Sequence, residues 1–265
     1  MNIAILGGGN LGVAIAQGIV KAKVAKANQV FITRRHLAKL DDIRKQGFKI
    51  TTNNVEAVKA SSIIMLCVQP KQLTGLLQEI SGALDKKKHL LVSTITGVAM
   101  EEIASKSPGN ISIIRAMPNT AVAIGASMTC LCTTNASDKQ MESIQNIFNA
   151  LGQTLIIEER LMKAATVLAA SGIAFFMRYL RAATQGGIQL GFDSEEAQLI
   201  AGQTAKGAAM LLQQLHSHPE VEIDKVTTPE GCTIAGLNEM EHQGLSSALI
   251  KGIVASYEKI NSIRK

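Results

Sequence analysis

Six residues near the start of the chain, Gly7-Gly8-Gly9-Asn10-Leu11-Gly12, restrict its possible folds more than any other feature. They follow an apolar run at 3–6 and open a helical pattern at 13–20, so the GxGxxG spacing falls between a strand and a helix. In that context the glycines have mechanical roles: Gly7 permits the tight turn, Gly9 lets backbone approach a pyrophosphate, and Gly12 lets helix and strand pack closely. The helix N-terminus adds free N–H groups and the positive end of a dipole, both suited to phosphate. Gly7, Gly9, Asn10, Leu11 and Gly12 are therefore read as a dinucleotide-binding loop, with an incidental glycine-rich turn as the alternative.

The end of the second apolar run, 30–33, bears on which dinucleotide is bound. Sites for NAD place an Asp or Glu there, about 20 residues beyond the glycines, to bind the ribose hydroxyls. Here the chain reads Thr33-Arg34-Arg35. No acid is present, and two guanidiniums suit the 2′-phosphate of NADP(H), which Arg binds through paired charge-assisted hydrogen bonds. Solvated loop arginines are the alternative. Farther on, Val68, Gln69 and Pro70 end another apolar run, at the carboxyl edge where ligands bind in open α/β sheets. They are expected to line the nicotinamide side, unless Pro70 serves only to start the next helix.

Apolar runs at 3–6, 30–33, 63–68, 90–95 and 111–117 alternate with helical patterns, the rhythm of βαβ units and a parallel sheet. Runs at 127–132 and 154–157 extend the sheet around a helix at 139–151 that ends at Gly152. The expected fold class is α/β: a Rossmann doubly wound sheet over 1–158, followed by an all-helical dimerisation domain over 159–265. Beyond Arg160 three helical segments are expected, at 161–185, 194–216 and 233–263, with Asp193 or Ser194 capping the second. Small residues such as Gly202 and Gly207 inside these segments cost about 1 kcal/mol each relative to Ala, which close helix approach would offset. A helical unit of this size has limited core of its own, so at least a homodimer is expected.

Composition excludes several classes. The formal charge is +6, but aromatic residues are only 3% and Trp is absent, so rings to stack on bases are lacking and no nucleic-acid partner is expected. Lys86, Lys87 and Lys88 read as a solvated loop. The four cysteines show no CxxC spacing and are expected to be reduced, with Cys130 and Cys132 on one strand face. No basic leader precedes the first strand, which suggests a cytoplasmic location. The longest uncharged stretch, 116–137, is broken by Pro118, Asn119 and Thr120, so no membrane partner is expected. The five histidines lack metal-ligand spacing, and no metal is expected.

Arg115-Ala116-Met117-Pro118-Asn119-Thr120 resembles the RxMPNT signature of the pyrroline-5-carboxylate reductases. The resemblance covers nearly the whole chain, continuing through Ala170-Ser171-Gly172, Gly186-Gly187, Gln203-Thr204, His218-Pro219 and Val226-Thr227-Thr228-Pro229 to Gly231 and Thr233-Ile234. It implies NADPH-dependent reduction of a cyclic imine, pyrroline-5-carboxylate, to proline. A protonated imine is already an electrophile, so positioning supplies much of the effect. The resemblance also implies that Met117, Pro118 and Asn119 lie beside nicotinamide and substrate. Thr228, Gly231 and Thr233 would hold the substrate carboxylate, with Thr233 as the catalytic hydroxyl nearest the imine nitrogen. Read by itself, Thr233 is a helix N-cap or first-turn residue.

Four departures from the family pattern bear on the substrate: Gln69 for Lys, Ile173 for Pro, Gln185 for Asp, and Glu230 with Cys232 in a segment the family writes PGGTT. Glu230 would repel a substrate carboxylate if it pointed inward, so it is expected to face solvent or pair with a basic residue, the alternative being a substrate with a neutral or positive group there. The alternatives are a related imine reductase, a β-hydroxyacid dehydrogenase with Lys163 as its candidate base, and a non-catalytic NADPH-binding protein.

Overall fold

A computed structural model describes residues 1–262; the final residues of the expected helix at 233–263 and of the expected domain at 159–265 lie outside the described part. The described residues form two compact units, Met1–Ser171 joined by the stretch from Ser256 onward, and Gly172–Ala255.

The first unit carries eight strands: β1 (Ile3–Leu6), β2 (Val30–Thr33), β3 (Lys49–Thr51), β4 (Ile63–Leu66), β5 (Leu90–Ser93), β6 (Ser112–Met117), β7 (Ser127–Thr133) and β8 (Gly152–Ile156). They make one sheet in the order β3-β2-β1-β4-β5-β6-β7-β8. Neighbours are parallel throughout except for β6 with β7. Its helices are α1 (Asn10–Lys21), α2 (Asp41–Lys45), α3 (Asn54–Lys59), α4 (Leu73–Ile80), α5 (Met100–Ser105), α6 (Asp138–Asn149) and α7 (Met162–Ala165), followed by a π-helical stretch at Thr166–Ser171.

The central strands are apolar without alternation because both faces of the sheet are covered. Side chains still divide with period two. Ile3, Ile5, Ile63 and Met65 face a core with Ile15 and Ile19 of α1 and Ile144 and Phe148 of α6. Ala4, Leu6, Ile64 and Leu66 face the opposite core with Leu73 and Leu77 of α4 and Ile103 of α5. Each fully buried Ile or Leu contributes about 1.5–3 kcal/mol, which holds these central strands in place on the sheet. The edge strand β3 was not expected from the sequence; its only apolar residue is Ile50, and backbone pairing with β2 defines it.

Two helix boundaries illustrate local control. Ser137 and Gln140 form a reciprocal cap at the start of α6, with Ser137 N–H donating to Gln140 Oε1 at 2.9 Å. At Gly18 of α1 an added Cβ would stand 2.3 Å from Val122 O, so the helix lies directly on the turn Thr120–Ile124.

The second unit is helical: α8 (Gly172–Gln189), α9 (Ser194–Leu215), α10 (Pro219–Val226), α11 (Cys232–His242) and most of α12 (Leu245–Ile260). Asp193 caps α9, its Oδ1 accepting from Glu195 N and Glu196 N at 2.9 and 2.8 Å. The single helix expected over 233–263 is two helices, because Gly244 takes φ +81 between α11 and α12. Gly187 lets α8 meet Ala197 of α9, where an added Cβ would come within 3.0 Å. Gly186, Gly202, Gly207 and Gly236 have nothing within 4 Å of such a Cβ. Phe176, Leu190, Leu199 and Ile250 are exposed.

Candidate functional site

A cleft of about 550 Å3 opens at the carboxyl ends of β1, β2 and β4, where β1 is flanked by β2 on one side and β4 on the other. This is the topological switch point at which open α/β sheets bind ligands. The glycine loop forms its floor. Gly7 takes φ +117 and an added Cβ would stand 2.4 Å from Cys67 O, so only glycine fits the turn out of β1. Gly9 is exposed, with nothing near its missing Cβ, leaving its backbone open to a ligand. At Gly12 an added Cβ would meet Gly7 O at 2.2 Å and Ile5 Cγ2 at 3.1 Å, the close packing of α1 on β1. Asn10 and Leu11 begin α1, and no side chain caps its first N–H groups. Asn10, Leu11 and Gly12 are not themselves among the lining residues; they follow directly on Gly9, which is, so the positive end of the dipole of a three-turn helix lies next to the cleft.

The end of β2 forms one wall. Thr33 is buried and its carbonyl accepts from Gly8 N at 2.7 Å, while Arg34 and Arg35 line the cleft beside it. Sequence reasoning missed what stands opposite: Asn54 at the start of α3, and Gly75 and Glu79 on α4. Asn54 Nδ2 donates to both oxygens of Glu79, at 3.1 and 2.9 Å, tying the two helices together at the cleft. The available signal was the polar run Thr51-Thr52-Asn53-Asn54 before Glu56, since Asn53 caps α3 by accepting from Glu56 N at 3.0 Å.

The end of β4 forms the other wall. Cys67, Val68 and Gln69 line the cleft. Pro70 is not among the lining residues; it opens the short helical turn Pro70–Gln72, with Gln69 N–H donating to Gln72 Oε1 at 3.1 Å. Burial pushes the Cys67 thiol up to about 11, only partly countered by its hydrogen bond with Thr94, so the sulfur stays protonated and is a poor nucleophile.

Met117, Pro118 and Asn119 follow one another at the carboxyl end of β6, on the same sheet edge but outside the lining of this cleft. Met117 and Pro118 are buried. The Asn119 carboxamide accepts from Ala121 N at 2.9 Å and donates to Ala169 O at 3.1 Å, engaging the π-helical stretch. π-Helical turns of this kind recur at functional sites. Upstream on β6, buried Arg115 pairs with Glu159 at 3.0 Å, and the same carboxylate oxygen accepts from Met100 N at 2.7 Å.

Thr228, Gly231 and Thr233 belong to the helical unit. Gly231 N–H donates to Thr228 O at 3.0 Å, closing a turn through Pro229 and Glu230. An added Cβ at Gly231 would lie 2.5 Å from Thr228 Oγ1. Gly231 is the N-cap of α11, which puts Thr233 in the exposed first turn rather than at the cap. Glu230 is exposed, with φ +57. Lys163, the candidate dehydrogenase base, is occupied elsewhere: its ammonium donates to Asn261 Oδ1 at 2.8 Å and sits 3.6 Å from the centre of the Tyr257 ring.

Residues 159–263 match a family described as pyrroline-5-carboxylate reductase dimerisation, and residues 2–97 match one described as NADP oxidoreductase, coenzyme F420-dependent. Two curated relatives come from Dictyostelium discoideum. Pyrroline-5-carboxylate reductase 2 is 45% identical, over 97% of this chain and 91% of its own length. Pyrroline-5-carboxylate reductase 1 is 47% identical over 98% of this chain, which spans about half (49%) of that longer relative. Among solved structures, Plasmodium falciparum pyrroline carboxylate reductase with NADP bound superposes with a TM-score of 0.92, covering 100% of this chain and 98% of its own. At 22% identity that likeness is one of fold.

Proposed function

The chain belongs to the pyrroline-5-carboxylate reductase family, and on that basis we propose that it reduces 1-pyrroline-5-carboxylate to L-proline with NADPH as electron donor. The observation that carries the cofactor is the cleft itself: a glycine loop under an uncapped helix N-terminus, beside a β2 end with arginines and no carboxylate. These residues fit an anionic dinucleotide. Gly9 has room for pyrophosphate, and a guanidinium at the end of β2 suits a 2′-phosphate. When bound, NADPH supplies the hydride; the protein supplies binding and orientation.

In this reading Val68 and Gln69 flank the nicotinamide side. Met117, Pro118 and Asn119 give the reacting centre a rigid boundary, supported by the burial of the first two and by the two hydrogen bonds of Asn119. Thr228 and Gly231 hold the substrate carboxylate. Thr233 directs its hydroxyl to the imine nitrogen, where a proton must be held as the C=N bond is reduced. The exposed first-turn position of Thr233 leaves that hydroxyl available.

The working unit is a homodimer or a higher homo-oligomer of this chain. Exposed Phe176, Leu190 and Leu199, with the open glycines of α8 and α9, support a second copy as the cover for these helices. Four free cysteines, two of them buried two residues apart, support a reducing cytoplasmic setting. Oxidation of NADPH, followed at 340 nm with pyrroline-5-carboxylate, tests the assignment: turnover that releases proline is expected. Tight NADPH binding without turnover would overturn the reaction and leave a binding protein.

A further inference from the structure

We infer that the two adjacent arginines do different work. Arg34 is a positioning residue that braces the glycine loop, and Arg35 alone grips the 2′-phosphate and sets the preference for NADPH over NADH. The inference rests on the NADPH reading above.

Arg34 is half-buried and turned back on the loop, its Nη1 donating to Gly8 O at 2.6 Å. Its own backbone N–H donates to Thr51 O at 3.2 Å, anchoring the residue in an extension of the β2–β3 ladder. Gly8 N–H in turn donates to Thr33 O at 2.7 Å. Both backbone groups of Gly8 are thus bound to consecutive residues at the end of β2. The peptide that joins Gly8 to Gly9 is planar, so holding its carbonyl fixes the direction of its N–H, which donates to Gly7 O at 2.9 Å. That peptide leads directly into α1, whose uncapped N-terminus lies next to the cleft. The charge-assisted bond from Arg34 therefore preorganises the loop, a contribution that every dinucleotide shares, whether or not it carries a 2′-phosphate.

Arg35 is exposed, lines the same cleft and has no hydrogen bond or ion pair within the described chain. All five of its N–H donors are free for a phosphate dianion in paired geometry. One arm of Arg34 is already committed to a carbonyl, which leaves it fewer free donors than Arg35.

Two ligands that differ only by the 2′-phosphate isolate the effect without turnover: adenosine 2′,5′-bisphosphate and 5′-AMP, titrated calorimetrically against the full chain. The wild type is expected to bind the bisphosphate at least about tenfold more tightly. Arg35→Ala should reduce that ratio about tenfold or more, as expected for lost hydrogen bonds to a charged group, and leave 5′-AMP affinity within about threefold. Arg34→Ala should weaken both ligands by a similar factor of about five or more and keep their ratio within about threefold. Arg34→Lys, which retains one donor for Gly8 O, should recover most of the loss, and it stands in for the alanine variant if that one melts early. In turnover, Arg34→Ala should raise KM for NADPH and for NADH alike at little-changed kcat. A collapsed ratio in Arg34→Ala, an intact ratio in Arg35→Ala, or unchanged binding in Arg34→Ala overturns the division of labour. A wild type indifferent to the 2′-phosphate would instead overturn the NADPH reading, so the two failures are distinguishable.

Discussion

Replacing Glu230 with glycine acts on both the backbone and the charge of the proposed substrate loop, and the structure assigns a magnitude to each. Glu230 is the third residue of the turn closed by Gly231 N–H and Thr228 O, with Pro229 second and φ +57 at Glu230 itself. Proline second and a left-handed third residue describe a type II turn, which favours Gly or Asn in that third place. A side chain in the left-handed region costs about 1–2 kcal/mol. Glycine removes that cost but loses about 0.4–1 kcal/mol through its freer unfolded chain. The net gain is about 0.5–1 kcal/mol, a rise in Tm of about 1–4 °C for a chain of this size. The charge argument has a different scale. An inward carboxylate about 4 Å from that of the substrate would cost about 4 kcal/mol at an effective dielectric near 20, nearly three decades of affinity. Glu230 is exposed, so removing its charge should change kcat/KM for pyrroline-5-carboxylate by less than about threefold. Glu230→Ala serves as the control, because it removes the charge and keeps the strained backbone; its Tm should match the wild type. Thermal melts and steady-state kinetics on the three proteins read both effects. A lower Tm for the glycine variant would refute the strain argument, and a gain in kcat/KM of a hundredfold or more would refute the outward carboxylate and with it the proposed substrate.

Four other outcomes are expected. Gly18→Ala should lower stability by about 1–3 kcal/mol although Ala is the better helix former, because its Cβ would meet Val122 O at 2.3 Å; a raised Tm would rule out that close approach. Thr233→Ala should reduce kcat/KM about tenfold or more and leave stability within about 0.5 kcal/mol, since Thr233 is an exposed first-turn residue and not the cap; unchanged kinetics would remove it from the substrate site. Burial, then nearby Lys88, hold the His89 imidazole below its ordinary value, and Nδ1 accepts from Asp85 N–H at 2.9 Å. The unfolded chain therefore binds the extra proton first, so stability should fall as pH drops below about 6.5; chemical denaturation of wild type and His89→Gln across pH 7.5–5 should show a shallower loss in the variant, and identical curves would discount His89. Light scattering at micromolar concentration should find a dimer or larger, and a fully active monomer would refute the proposed assembly.

The glycine fingerprint was legible in the sequence because each glycine answers a local demand, a turn, an approach or a contact, that spacing alone encodes. The parallel core strands were legible for a related reason: burial on both faces leaves an unbroken apolar run in the one-dimensional text. The edge strand β3 was not, since a three-residue strand with one apolar side chain is defined by its partner's hydrogen bonds and has no periodicity of its own. The far wall of the cleft followed the same rule, because Asn54 and Glu79 are 25 residues apart and meet only when α3 and α4 pack on one sheet face. Gly18 and Glu230 mark the limit most clearly. Sequence propensity reads the first as a poor helix residue and the second as a misplaced charge, whereas the fold makes one a contact surface and the other a strained turn. Even the arginine pair was visible only as two like residues. Which of them is spent on a carbonyl and which is left free depends on where the loop lies in space, and chain order does not carry that information.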